Sequence, residues 1–243
     1  MSDKKIKKVC IITNFRTGST SLTLLKAEEY GIPYAGELFS HEKPFHIGTT
    51  KDLLPKERTH ARFIQELREN KELECCFKLM PVHAHFKLDM IGEIVDAVDK
   101  VYYLYRSDFK SQLISYMANR GYGREQETGF KTNTGWEDRE KRARQLVLGE
   151  LGKTKEPVVI KMSLKDPQLT GQLGSISMKT LRHGLIRNYE VMAEAYKLYP
   201  GELLRKEDYF SGEKHNPYNR YVEWKDDDEP EIEDYDVDSL FKS

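Results

Sequence analysis

Long apolar runs are missing from this chain of 243 residues, in which no stretch approaches the length of a membrane-crossing helix. No leader with an apolar centre precedes the first apolar segment at Lys8. Cysteine is scarce: Cys10, Cys75 and Cys76 show neither a disulfide framework nor the paired spacing of zinc ligands. They fall in apolar segments and read as buried thiols in a reducing compartment. These absences predict a soluble, cytoplasmic protein. Net charge is only −1, which excludes a globally basic surface for nucleic acid, so any basic site is local. A Walker A pattern, G-x-x-x-x-G-K-[ST], is also missing, and with it the usual lysine for Mg-ATP.

What stands at the start instead is an apolar run, Lys8–Thr13, then the polar loop Phe15-Arg-Thr-Gly-Ser-Thr-Ser21, then an amphipathic segment to Tyr30. The pattern predicts a strand, a tight loop and a helix over Ser19–Tyr30. Such a loop can hold a phosphate against the free N–H groups of the helix N-terminus. With one glycine, three serine or threonine hydroxyls after it and a leading arginine, it suits an anion on a nucleotide but not Mg-ATP.

Further strands are expected at Leu73–Met80, Val101–Tyr105, Pro157–Lys161 and Leu203–Arg205. Helices are expected at Pro55–Asn70, around His85–Val98, at Asp108–Arg120 with Asp108 as N-cap, at Trp136–Leu151 and at Met178–Tyr199. Tyr34–Thr50, Gly121–Gly135 and Gly171–Ser177 read as loops. The alternation predicts an α/β fold, a parallel β-sheet flanked by helices on both faces. Residues 1–214 form the expected domain, and 215–243 a polar to acidic tail, partly disordered. Ligands of such sheets bind at the carboxyl ends of the strands. Arg16–Ser21, Gly36-Glu-Leu38, Lys78–His85 and Arg106–Ser115 all follow strands at that edge.

In P-loop phosphotransferases an apolar strand commonly ends in an aspartate that helps hold magnesium. Here Val101–Tyr105 ends in Arg106, whose fork of donors binds an anion and repels a metal. Ser111 and Ser115 lie one turn apart on the helix that follows. Arg106 and Ser115 therefore make a second candidate anion site beside the first.

Phe15-Arg-Thr-Gly-Ser-Thr-Ser-Leu22 resembles the 5′-phosphosulfate loop of sulfotransferases that use 3′-phosphoadenosine 5′-phosphosulfate (PAPS). The segment from Tyr105-Arg106 to Ser115 resembles their 3′-phosphate motif. The likeness is closest to bacterial carbohydrate sulfotransferases of the trehalose 2-sulfotransferase type, through Gly36-Glu-Leu-Phe39, Phe77-Lys-Leu-Met80 and Leu203-Leu-Arg-Lys-Glu-Asp-Tyr-Phe210 as well. The matches are collinear over roughly residues 9–210.

The resemblance implies a P-loop-NTPase-like sulfotransferase fold, PAPS as donor and PAP as product, with no metal. It implies that Arg16, Thr17, Gly18, Ser19, Thr20 and Ser21 hold the 5′-phosphosulfate, and Arg106 and Ser115 the 3′-phosphate. Glu37 matches the family's catalytic glutamate and is the first candidate for the base. His83 and His85 are the runners-up, and Lys78 is a candidate to neutralise the transferring group. The family's late R-K-G-x-x-G loop has no counterpart, and Arg182, Arg187, Arg205, Lys206 and Arg220 stay unassigned. The expected partner is a hydroxyl-bearing small molecule or glycan, with no nucleic acid or membrane; an oligomer is left open. The alternatives are a non-catalytic nucleotide- or partner-binding protein of the same fold, or a small-molecule kinase with a degenerate loop.

Overall fold

The computed structural model describes residues 5–39, 60–121, 158–163, 178–211, 220–225 and 230–242. Lys8–Thr13, buried throughout, forms β1 at the centre of a sheet. Cys75–Leu79 (β3) and Lys100–Tyr105 (β4) pair with it on either side. Tyr34–Gly36 (β2) and Glu202–Arg205 (β6) form the outer strands. The order is β2-β3-β1-β4-β6, and every pairing is parallel. Val158–Met162 (β5) and Arg220–Trp224 (β7) make a separate parallel pair.

Alternation along β1 divides the core in two. Val9 and Ile11 face Leu22, Leu24 and Ala27 of helix α1 (Ser19–Tyr30). Cys10 and Ile12 join the larger cluster on the opposite face. That cluster takes Phe63 and Ile64 from α2 (His60–Glu69), Ile91 and Ile94 from α3 (Leu88–Val95), and Leu113 from α4 (Phe109–Gly121). It also takes Leu185, Tyr189 and Met192 from α5 (Met178–Leu198). The chain is thus an α/β protein with helices on both faces of a parallel sheet. The three cysteines are buried, and burial pushes their thiols up, that of Cys75 to about 12, so they are poor nucleophiles.

Several expected boundaries shift. β2 lies inside the stretch read as loop, because three residues ending in glycine carry no visible strand period. The helix expected around His85 begins at Leu88, after a 3-10 turn over Pro81–Ala84. The strand near residue 158 pairs outside the main sheet, with β7, which lies in the segment read as a polar tail. Part of that tail also packs on the core. Val237, in the short helix α7 (Val237–Leu240), and Phe241 are buried, and Phe241 stacks on Tyr105 at 4.7 Å between ring centres. Arg182 of α5 holds the same segment through the carbonyls of Glu233 and Asp234. A few apolar residues inside an acidic stretch suffice to dock it. Gly121, expected to open a loop, instead ends α4; the rest of that loop, 122–135, the loop at 171–177, the helix at 136–151 and most of the loop at 34–50 lie outside the described residues. Among the described residues no helix is long and apolar enough to cross a membrane.

Gly201, just before β6, lies against its neighbour strand. A Cβ there would meet the Val101 carbonyl at 2.8 Å and the Tyr103 ring at 3.1 Å. Tyr103 is fully buried and has no room to retreat. Gly201→Ala is therefore expected to destabilise the fold by about 1–3 kcal/mol, read as a lower urea midpoint at unchanged slope.

Candidate functional site

Because the five strands are parallel, their carboxyl ends form one edge. Ile12 aligns with Leu79 of β3, Thr13 with Leu104 of β4, and Tyr105 with Arg205 of β6. The register sets the loop after β1 between Lys78 on one side and Arg106 on the other.

That loop is held from inside. Asn14 donates to the Leu185 carbonyl at 2.8 Å and accepts from the Phe15 N–H at 2.8 Å. Thr17 Oγ1 donates to the Asn14 carbonyl, and Thr13 Oγ1 lies 2.6 Å from it. Gly18 is the N-cap of α1 at φ 84°, a left-handed conformation that suits glycine. Having no side chain, it makes no side-chain cap to the first turn of α1. Arg16 also sits at positive φ, 60°, which for a non-glycine stores on the order of 1–3 kcal/mol of strain. Thr17, Ser19 and Ser21 are buried, whereas Arg16, Gly18 and Thr20 are partly exposed.

Two bridges leave the loop. On one side Lys78 Nζ donates to Thr20 Oγ1 at 2.9 Å and pairs with Glu37 Oε1 at 2.8 Å. Both members of the pair are largely buried, with side-chain exposures of 10% and 18%. The structure thus brings together three residues that the sequence suggested separately. On the other side Arg16 Nε donates to Ser115 Oγ at 3.2 Å, joining the two candidate anion-holding segments directly.

Arg106 stands at the end of β4 as expected. Its guanidinium lies 3.5 Å from Asp108 and 3.8 Å from Glu207, and its buried Nε makes no hydrogen bond among the described residues. Asp108 accepts from the Ser111 N–H at 3.0 Å, capping α4. Burial raises its carboxyl pKa, but the Ser111 bonds and Arg106 outweigh this and hold it below its ordinary value. Tyr189 of α5 accepts from the Arg106 N–H at 3.2 Å and donates to Gln112 Oε1 at 2.6 Å. Gln112 in turn donates to the Phe15 carbonyl. One buried network therefore ties the loop after β1 to the end of β4.

The two histidines differ. His83 is buried in the 3-10 turn. His85 is exposed at φ 51°, with its ring 5.3 Å from that of His60. Among the described residues no group of three His, Cys, Asp or Glu side chains is placed to hold a metal ion.

Sequence reading left Glu207 and Lys206 unassigned, although both lie at this edge. Lys206 opens the short helix α6 (Lys206–Tyr209) immediately after β6. The missed signal was strand order: only the pairing of β6 with β4 sets Lys206 beside Arg106. Comparison with protein-family models, with curated proteins and with solved structures finds no match.

Proposed function

We propose that the chain is a PAPS-dependent sulfotransferase with a P-loop-NTPase-like sulfotransferase fold, acting on a hydroxyl of a carbohydrate acceptor. The observation that carries this reading is the Arg16–Ser115 contact, which joins the loop after β1 to the segment after β4. The α1 amides, Arg16 and the loop hydroxyls would hold the 5′-phosphosulfate. Arg106 and Ser115 would hold the 3′-phosphate.

Sulfuryl transfer breaks the bond between sulfur and the bridging phosphate oxygen and forms one to the acceptor oxygen, whose proton must leave. Donors fixed at the leaving oxygen lower the barrier, which a cleft of preset amides and cations can supply. Glu37 is the residue assigned to receive the acceptor proton, because it is held beside the loop by Lys78. Lys78, already bonded to Thr20, would face the charge that moves during transfer.

One observation favours a second reading. Arg106 lies near Asp108 and Glu207, which suits a structural arginine in a protein that binds a nucleotide without transferring from it. Thermal shifts with PAPS, PAP, ATP and AMP separate the two. A ligand at a hundred times its dissociation constant adds about 2.7 kcal/mol of stability. PAP is expected to stabilise far more than AMP, and transfer to survive EDTA. Equal shifts from PAP and AMP would remove the donor assignment.

A further inference from the structure

At the carboxyl edge, three adjacent strands each lead into a cation: β1 into Arg16, β4 into Arg106 and β6 into Lys206. We propose that Lys206 completes the second anion site with Arg106 and Ser115, as a specificity-determining contact for the 3′-phosphate of the nucleotide. The inference rests on the sulfotransferase reading and deepens it, since the sequence offered no third ligand for that phosphate.

The surroundings support the assignment. Tyr105 and Arg205 are partners across β4 and β6, so Arg106 and Lys206 leave the sheet side by side. Glu207, the carboxylate next to Lys206 in the chain, is shared among several partners at this site. It accepts from the N–H groups of Ser107 and Asp108 and lies near Arg106 and Arg205. Arg106 Nε is buried without a hydrogen bond among the described residues. Lys206 lies within electrostatic reach of Arg106 and Arg16, and Arg16 contacts Ser115; these like charges repel one another, and a dianion placed among them relieves that repulsion.

The repulsion shows in the lysine. Burial, then Arg106 and more weakly Arg16, push the Lys206 ammonium down to about 8, against the opposing pull of Glu207 and Asp108. A bound phosphate would favour the charged form, so the nucleotide should bind with proton uptake near and above pH 8. The sign follows. Well below pH 8 the lysine is already charged and adds no pH dependence of its own. Above it, affinity falls as the free protein loses the proton, by about tenfold between pH 7 and pH 9.

The experiment is calorimetric titration of PAP and of AMP at pH 7 and pH 9 into the full chain and its Lys206→Met and Lys206→Arg variants. The unchanged chain should prefer PAP and lose about tenfold in PAP affinity at pH 9. Lys206→Met should lose tenfold or more for PAP at pH 7, keep its AMP affinity and show no pH slope. Lys206→Arg should retain PAP binding and also lose the slope, because guanidinium does not titrate there. If Lys206→Met keeps the preference for PAP and the slope, or loses PAP and AMP equally, the assignment of Lys206 is overturned while the donor reading stands. If the unchanged chain does not distinguish PAP from AMP, both fall together.

Discussion

Glu37→Gln is expected to lower turnover by roughly two to four orders of magnitude, the usual contribution of a positioned proton acceptor. Glutamine keeps the length of the side chain, and its carbonyl can still accept from Lys78 Nζ, which lies 2.8 Å from Glu37 Oε1. The loop contact between Lys78 and Thr20 should therefore survive, and PAP should bind nearly as before. What the amide cannot do is take a proton. Lys78→Met supplies the contrast. It leaves the Glu37 carboxylate largely buried without its cation, and breaking such a pair destabilises by about 3–5 kcal/mol. A lower melting temperature for Lys78→Met, with near-normal melting for Glu37→Gln, separates structural support from chemistry. If Glu37→Gln turns over normally, His83→Asn and His85→Asn become the next variants to measure.

Arg106→Ala is expected to weaken PAP about tenfold to a hundredfold while changing AMP little. On the proposed reading, each charge-assisted hydrogen bond to the 3′-phosphate would contribute about 1.5–3 kcal/mol. Asp108 and Glu207 add to the effect, because both lie within 4 Å of the guanidinium. Without the arginine they would present two negative charges to the incoming phosphate. The local backbone should hold, since the Tyr189 hydroxyl bonds the main chain of residue 106 rather than its side chain. Equal loss of PAP and AMP in calorimetry would assign Arg106 to the scaffold and remove the 3′ site.

The sequence and the structure agree best where local chemistry decides the outcome. Lys8–Thr13 and Ser19–Tyr30 have the same bounds in both, because an unbroken apolar run and a glycine at each end of the helix mark them. Arg16, Lys78 and Arg106 stand out as polar residues at or just beyond apolar strands, and each occupies the predicted edge. Partnership was not legible. Nothing in the order of residues says that Lys78 bridges Glu37 and Thr20, or that Arg16 reaches Ser115, since both depend on which strands are neighbours. Lys206 stayed unassigned for the same reason. The strand Arg220–Trp224 escaped because its three apolar residues, Tyr221, Val222 and Trp224, sit in a stretch whose average composition is polar. Averaging likewise hid Val237 and Phe241, which act singly.

The stacking of Phe241 on Tyr105 has a consequence for the order of synthesis. Tyr105 leaves the ribosome 136 residues ahead of its partner, an interval on the order of 10 s at typical elongation rates. During that time the Tyr105 ring, beside Arg106 at the end of β4, lacks the partner that stacks on it. That ring is where a chaperone would be expected to engage the growing chain, and where incomplete chains would be expected to stick to one another.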